Sequence, residues 1–322
     1  MATSAIGVER RGRDWLRRLG DGDEAAYLFT LLFAAGIVLL TALLVLELFS
    51  SSTLARREFG WAFLWTRQWD PVAERFGALP FIYGTVVTSA VALLIAVPLG
   101  VGAAIFLSEL APARISDALT FVVELLAAVP SVIYGLLAIF VLVPPLRTIV
   151  QPFLQRNLGF LPFFQGPMHG VGFLAASLIL AIMIVPFVVS VSREALLAVP
   201  HEQREAALAL GATRWEATWQ VVVPYARLGI TGSIFLALAR ALGETMAVTM
   251  VIGNTPQISA SLFDPGYSIA AVIANEFTEA VGDLHIHALV ELGLVLFALT
   301  IMINGLARLL ILATTRKGTN PA

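Results

Sequence analysis

Six separate apolar runs, each long enough to cross a lipid bilayer, constrain this chain more than any other feature. A helix needs ~20 mainly apolar residues to span the hydrocarbon core. Runs that meet this occur at 27–49, 80–107, 118–143, 170–191, 228–252 and 288–313. In lipid, backbone polar groups must be satisfied within the segment, so each run is expected to be a helix. The chain is therefore read as an all-α polytopic membrane protein of about six transmembrane helices. Of its 322 residues 58% are hydrophobic and 13% charged, too apolar a balance for a soluble globule. The first run exceeds a signal-peptide core and no small-residue cleavage site follows it, which predicts a retained signal anchor.

Charge placement gives an orientation. Of 20 basic residues, Arg240 lies inside a span, and six (Arg56, Arg57, Arg67, Arg75, Arg147, Arg156) fall in loops on one side. The remaining thirteen, among them Arg10, Arg114, Arg193 and Arg316, fall on the other side. Cytoplasmic segments carry the excess of Lys and Arg, so both termini are expected inside the cell. The organisation that follows is a cytoplasmic tail at 1–26, a transmembrane domain at 27–313 and a second cytoplasmic tail at 314–322. A net charge of −2 with no basic stripe gives no reason to expect nucleic acid as a partner, whereas membrane lipid is a necessary one. The chain has no cysteine, which excludes disulfides, thiol redox chemistry and thiolate metal sites.

Pro98 with Gly100 and Gly102, Pro130 and Pro186 interrupt the second, third and fourth runs. Each proline leaves a carbonyl short of a partner. Such breaks occur around transporter cavities and also as simple packing kinks.

The loop at 193–227 is far more polar than its flanks and contains EQREAALALGATRWEATWQVVVP. It predicts two short helices. Pro200 suits a first turn, Gly211 suits a left-handed residue just past a C-terminus, and Thr213 with Glu216 has capping-box spacing. The second helix is expected to run to about Val223, with Pro224 starting the next span. Glu205-Ala206-Ala207, Gly211 four positions later, and Val221 and Val223 before Pro224 resemble the EAA loop of ABC importer permeases. That resemblance implies a coupling helix that docks on a separate ATPase subunit, with the small alanines allowing close approach. The bland alternative is an ordinary amphipathic loop helix. ATP chemistry belongs to another polypeptide, because a Walker A loop needs a lysine and the only one here is Lys317. His201-Glu202 opens like a zincin helix, but Glu205 stands where the second histidine is needed. The chain is accordingly read as no enzyme, with no metal and no cofactor.

The fifth run holds Arg240 and Glu244. The spacing places them one helical turn apart on the same face, each the other's first partner. A charge at the bilayer centre costs ~2.5–3.5 kcal/mol on insertion scales, so the pair is either a path for an anion or a structural ion pair. Glu124 is placed in the third span, as a second partner for Arg240 or as a strut between helices. Glu47 and Glu291, near span ends, are assigned to interfacial water. An amphipathic pattern at 268–280 would either face an external protein or pack on the bundle, and His285 with His287 makes only a weak metal pair.

The runs ARALGETMAVTMVIGN and ELLAAVPSVIYGL resemble the PstC-type permease subunits of phosphate-specific ABC transporters. The resemblance covers about residue 80 to the last helix. It implies a MetI-like permease fold in the bacterial inner membrane and a permease subunit that forms half of a phosphate path. It also implies four kinds of partner: a PstA-type sister permease, a PstB-type ATPase dimer, an external PstS-type binding protein and phosphate itself. Arg240 and Glu244 match the charged positions of that path. The competing readings are a permease for another oxyanion, sulfate or molybdate, and a gradient-driven secondary transporter. The coupling loop argues against the second.

Overall fold

The computed structural model describes residues 23–316, with side chains from 26 to 309. The predicted tails, with Arg10, Arg11, Arg13, Arg17, Arg18 and Lys317, lie wholly or largely outside the described residues. The chain divides into two units, 1–53 and 54–322. In the first, α1 (Asp23–Ser51) is apolar on every face, as a helix solvated by lipid must be. Its few hydroxyls turn inward on the helix itself: Thr30 donates to the carbonyls of Ala26 and Tyr27, and Thr41 to that of Ile37.

The boundary falls after the first residue of α2 (Thr53–Phe59), and a 3-10 turn at Gly60–Leu64 then leads to α3 (Leu79–Ile105). After α3 come α4 (Ala113–Ala127), α5 (Ser131–Leu137, continued by wide turns to Leu158) and α6 (Phe173–Leu197). Next are α7 (His201–Ala209), α8 (Arg214–Ala217) and α9 (Val223–Gly243), and last α10 (Met246–Thr249), α11 (Ile269–Glu276) and α12 (Asp283–Arg316). Among the described residues, six helices are long and apolar enough to cross a membrane: Ala26–Ser51, Leu79–Leu110, Ser131–Leu158, Phe173–Leu197, Arg214–Gly243 and Asp283–Leu309.

Two spans differ from expectation, both because of a local backbone constraint. The run at 118–143 is no single helix: α4 stops at Ala127 and Pro130 caps α5 with ψ 140°. Proline disfavours helical geometry at the residue before it and has no N–H to continue the ladder. The third span is therefore Ser131–Leu158, and the 15 residues of α4 reach only ~22 Å, short of a bilayer. The prolines 144 and 145 sit inside this span between two π turns, Ala138–Leu142 and Leu146–Val150. The fifth run ends at Gly243 rather than near 252, since Glu244 is extended with ψ 128°. In contrast, α3 runs unbroken through Pro98 and α6 through Pro186, so those prolines do not end their helices.

Helix α6 is the centre of the unit, with Ile179, Leu180, Met183, Ile184 and Val188 essentially inaccessible. It packs on α3 and α9 through small residues that let backbones approach closely. A Cβ on Gly100 of α3 would lie 2.7 Å from Cβ of Val188, a methyl on Gly229 of α9 would collide with Ala195, and the hydroxyls of Ser192 and Ser233 meet at 2.7 Å. A second apolar cluster joins Phe63, Phe76 and Phe81 to Tyr267, α11 and α12. Within it Glu291 is buried and paired with Arg56 at 3.6 Å, and in the first unit Glu47 accepts from Ser51 at 2.9 Å. Protein groups, rather than interfacial water alone, thus meet both carboxylates. The start of the amphipathic segment packs on the bundle, with Ile269, Ala271 and Val272 fully buried. His285 stacks on Phe76 and bonds Glu276 at 3.0 Å, a carboxylate that Trp69 also holds at 2.9 Å.

Candidate functional site

The interrupted fifth span brings the intramembrane charges into a different relation from the one a continuous helix would give. Arg240 lies in the last turn of α9, where a cation complements the exposed carbonyl end of the helix. Its guanidinium carbon stands 4.6 Å from the centroid of the Phe187 ring on α6, a cation–π contact that offsets part of the cost of burial. Nε of Arg240 is buried without a hydrogen-bond partner. Glu244, just beyond the helix end, turns its carboxylate to the N–H of Ala247 at 3.2 Å in the first turn of α10. No ion pair joins Arg240 to Glu244 among the described residues. The expectation of a shared helical face fails because the helix stops between them.

Glu124 is not in the third span. It lies exposed on α4, a helix not among the six long and apolar enough to span, and no ion pair ties it to Arg240 among the described residues. Arg240 and Glu244 are thus brought to one helix break, and Glu124 is not brought into it by any bond. The break follows the C-terminus of α9 and precedes the short α10. Phe187 had no signal in the sequence, since an aromatic residue in an apolar span reads as packing.

The polar loop folds as its sequence indicates up to Thr213. In α7 the last turn closes as a Schellman motif: Ala212 N–H bonds the Ala207 carbonyl at 3.1 Å, and Gly211 N–H bonds that of Leu208 at 3.0 Å. Gly211 has φ +91°, which costs a residue with a Cβ ~1–2 kcal/mol and glycine almost nothing. The capping box forms in full, with Thr213 Oγ1 accepting from Glu216 N–H at 3.3 Å and Glu216 Oε2 accepting from Thr213 N–H at 2.8 Å. The second helix does not end near Val223, however. It passes through a π turn at Thr218–Val222 into α9. Pro224 therefore lies inside one long helix, in the turn that follows the widened ladder, where its missing N–H is tolerated.

Glu205 and Ala206 of α7 are exposed and Ala207 half-buried; none of the helix's residues is buried. Leu208, Leu210, Trp215 and Trp219 add exposed apolar area beside them. What holds this loop is Arg204. Its Nη2 and Nε donate to the two carboxylate oxygens of Glu109 at 2.9 and 3.1 Å, Nη2 also donates to the Leu196 carbonyl at 2.7 Å, and Nη1 donates to the Val199 carbonyl. Glu109 belongs to the π turn that ends α3, 95 residues away in sequence. No local pattern could have paired the two.

Comparisons with known proteins agree with this architecture. Residues 96–315 match the family model described as binding-protein-dependent transport system inner membrane component. The phosphate transport system permease protein PstC of Mesorhizobium japonicum is 48% identical over 313 residues, 96% of each chain. That of Haemophilus influenzae is 49% identical over 286 residues, 88% of this chain and 90% of its own. A probable phosphate transport system permease protein PstC of Methanocaldococcus jannaschii is 39% identical over 243 residues, 75% of this chain and 77% of its own. Among solved structures, a bacterial ABC transporter involved in alginate import covers 91% of this chain and 98% of its own, with a TM-score of 0.55 at 17% identity. The methionine transporter MetNI, in an inward-facing form, covers 71% of this chain and 93% of its own, with a TM-score of 0.50 at 16% identity. These two share the fold.

Proposed function

Because this chain belongs to the binding-protein-dependent transport system inner membrane components, we propose that it is the permease subunit of an ATP-driven phosphate importer. The observation that carries the reading is the 48% identity to a phosphate transport permease over 96% of both chains. It is a multi-pass inner-membrane protein, and it forms half of the translocation path with a sister permease. A separate ATPase docks on α7, and an external binding protein delivers phosphate.

The exposed faces of Glu205 and Ala206 beside the partly exposed Ala207 support that docking, since small side chains on a helix with no buried residue leave room for another chain. At the helix break, Arg240 supplies a planar fork suited to phosphate oxygens. Phe187 supports the guanidinium without consuming a donor, so an arriving oxyanion displaces no internal carboxylate. Glu244 holds the start of α10 with one oxygen and can accept a hydrogen bond from the P–OH of hydrogen phosphate with the other. Sulfate, which carries no proton at neutral pH, is repelled there. Glu124, exposed on α4, has the weakest claim to line the path, and its position supports contact with a neighbouring subunit or the membrane surface instead.

Reconstituted vesicles test the reading. Phosphate uptake is compared for this chain alone, for the full set of sister permease, ATPase and binding protein, and for the full set bearing Arg240→Gln. ATP-dependent uptake in the full set only, lost in the variant while the complex still assembles, is the expected result. Uptake by this chain alone without ATP would make it a gradient-driven carrier.

A further inference from the structure

Three elements converge on one side chain at the α7 end of the bundle. Arg204, the residue before the exposed Glu205-Ala206-Ala207 face, binds both oxygens of Glu109 at the end of α3. The same guanidinium bonds the carbonyls of Leu196 and Val199, which end α6. The acceptors are held in turn: Ser116 of α4 donates to the Leu107 carbonyl at 2.7 Å, fixing the π turn that carries Glu109. Beneath lies a dry cluster of Ala104, Ile105, Leu196, Val199, Val222 and Ala226. The side chains of Arg204 and Glu109 are only 16% and 9% exposed.

From this geometry we infer that Arg204 is a positioning residue that locks α7 to the ends of α3 and α6, so that a displacement of α7 moves both spanning helices as one body. A guanidinium is suited to this task because its five donors are coplanar and fixed, and two acceptor directions can be satisfied without a rotamer change. Without the lock, α7 has no buried residue of its own and, besides its connections, packs chiefly on α8 and the π turn that follows it, not on the ends of α3 and α6. A partner could then push the loop without moving the helices. The inference rests on the importer reading for its function, because only a chain driven through α7 needs a stiff joint there.

The test uses the complete reconstituted transporter and two readouts. The first is ATP hydrolysed per phosphate imported. Arg204→Lys, which keeps the charge and loses the fork, is expected to raise that ratio at least fivefold with assembly and ATP hydrolysis retained, and Arg204→Gln to raise it further. Should Arg204→Gln fail to assemble, the lysine variant decides. The second readout is the distance between spin labels at Gln203→Cys and Leu110→Cys, placed on this chain before assembly with its partners, since the chain has no cysteine of its own. In the unsubstituted joint a single narrow distance, equal without nucleotide and with ATP and vanadate, is expected; in Arg204→Lys it broadens. A wild-type distance that changes with nucleotide overturns the lock. So does a variant with unchanged ratio and a narrow distance, or one whose hydrolysis and uptake fall in parallel. Failure of the wild-type complex to import phosphate would sink the proposed function instead, and the distances would still judge the joint.

Discussion

The two ends of the 54–322 unit are held together by different means. Away from α7, the connections are woven by the backbone: Gly172 N–H bonds the Val251 carbonyl at 2.8 Å, Phe173 that of Asp264 at 3.1 Å, Leu174 that of Leu262 at 2.7 Å and Leu262 that of Phe163 at 2.9 Å. Side chains reinforce the weave, as where Tyr83 donates to the Ser259 carbonyl at 2.5 Å and Ser259 to Asp264 at 2.5 Å. At the other end a single guanidinium joins α3, α6 and α7. Backbone ladders cannot shift without losing several bonds together, whereas a side-chain joint can travel with the elements it links. On the proposed function, the woven end keeps its shape and the α7 end is the one that a partner moves.

Substitutions can break or sharpen that contrast, and the largest effect should come from the woven end. A Cβ on Gly84 would collide with the Tyr267 carbonyl, and backbone cannot yield as a side-chain tip can. Gly84→Val is expected to cost about 3 kcal/mol, at the upper end of overpacking penalties, seen as a lower unfolding midpoint and poor yield in detergent. Wild-type stability there would mean the weave is looser than its bonds imply. Next comes Arg240→Gln, which disturbs neither end. Uptake should fall about 100-fold, the scale of losing one preorganised anion donor, with the unfolding midpoint unchanged. Equal loss of stability and uptake would make Arg240 a structural group.

Smaller effects belong to the α7 end. Gly211→Ala places a Cβ at φ +91° with nothing within 4 Å, so only backbone strain is felt, ~1 kcal/mol. Faster amide exchange should be confined to α7 and α8 and absent from 251–266. Exchange that spreads to the woven end would abolish the contrast. Thr213→Ala removes one half of the capping box and should cost ~1 kcal/mol or less at this exposed position, read as modestly faster exchange at Glu216 alone.

What could be read from the sequence was whatever depends on neighbours along the chain. Six spans follow from run length, and the turn at Gly211 and the cap at Thr213 follow from residue type at fixed spacing. The misplaced third span shows the limit of run length: the stretch 118–143 is more apolar than the helix the chain uses, and Pro130 outweighs it. Glu244 illustrates the same competition, because one residue past Gly243 leaves the helix and changes a shared face into two separate environments. Arg204 and Glu109 were each ordinary surface-type residues in sequence, and only their meeting across 95 positions gives them a role.

The π turn at Thr218–Val222 has a consequence for the charge far along the same helix. Such a turn holds one residue more than an α-helix would, so everything after it is rotated by about 100° around the axis. The azimuth of Arg240, and hence its seat over Phe187, is set by a bulge next to the loop rather than by anything in the membrane interior. Were the turn to relax to α with no residue removed, the guanidinium would swing away from the ring, whereas deleting one residue of the turn, such as Gln220, is expected to leave Arg240 in phase. Loop and charge share one phase, and a bulge that formed or vanished at the surface would turn the cation like a dial.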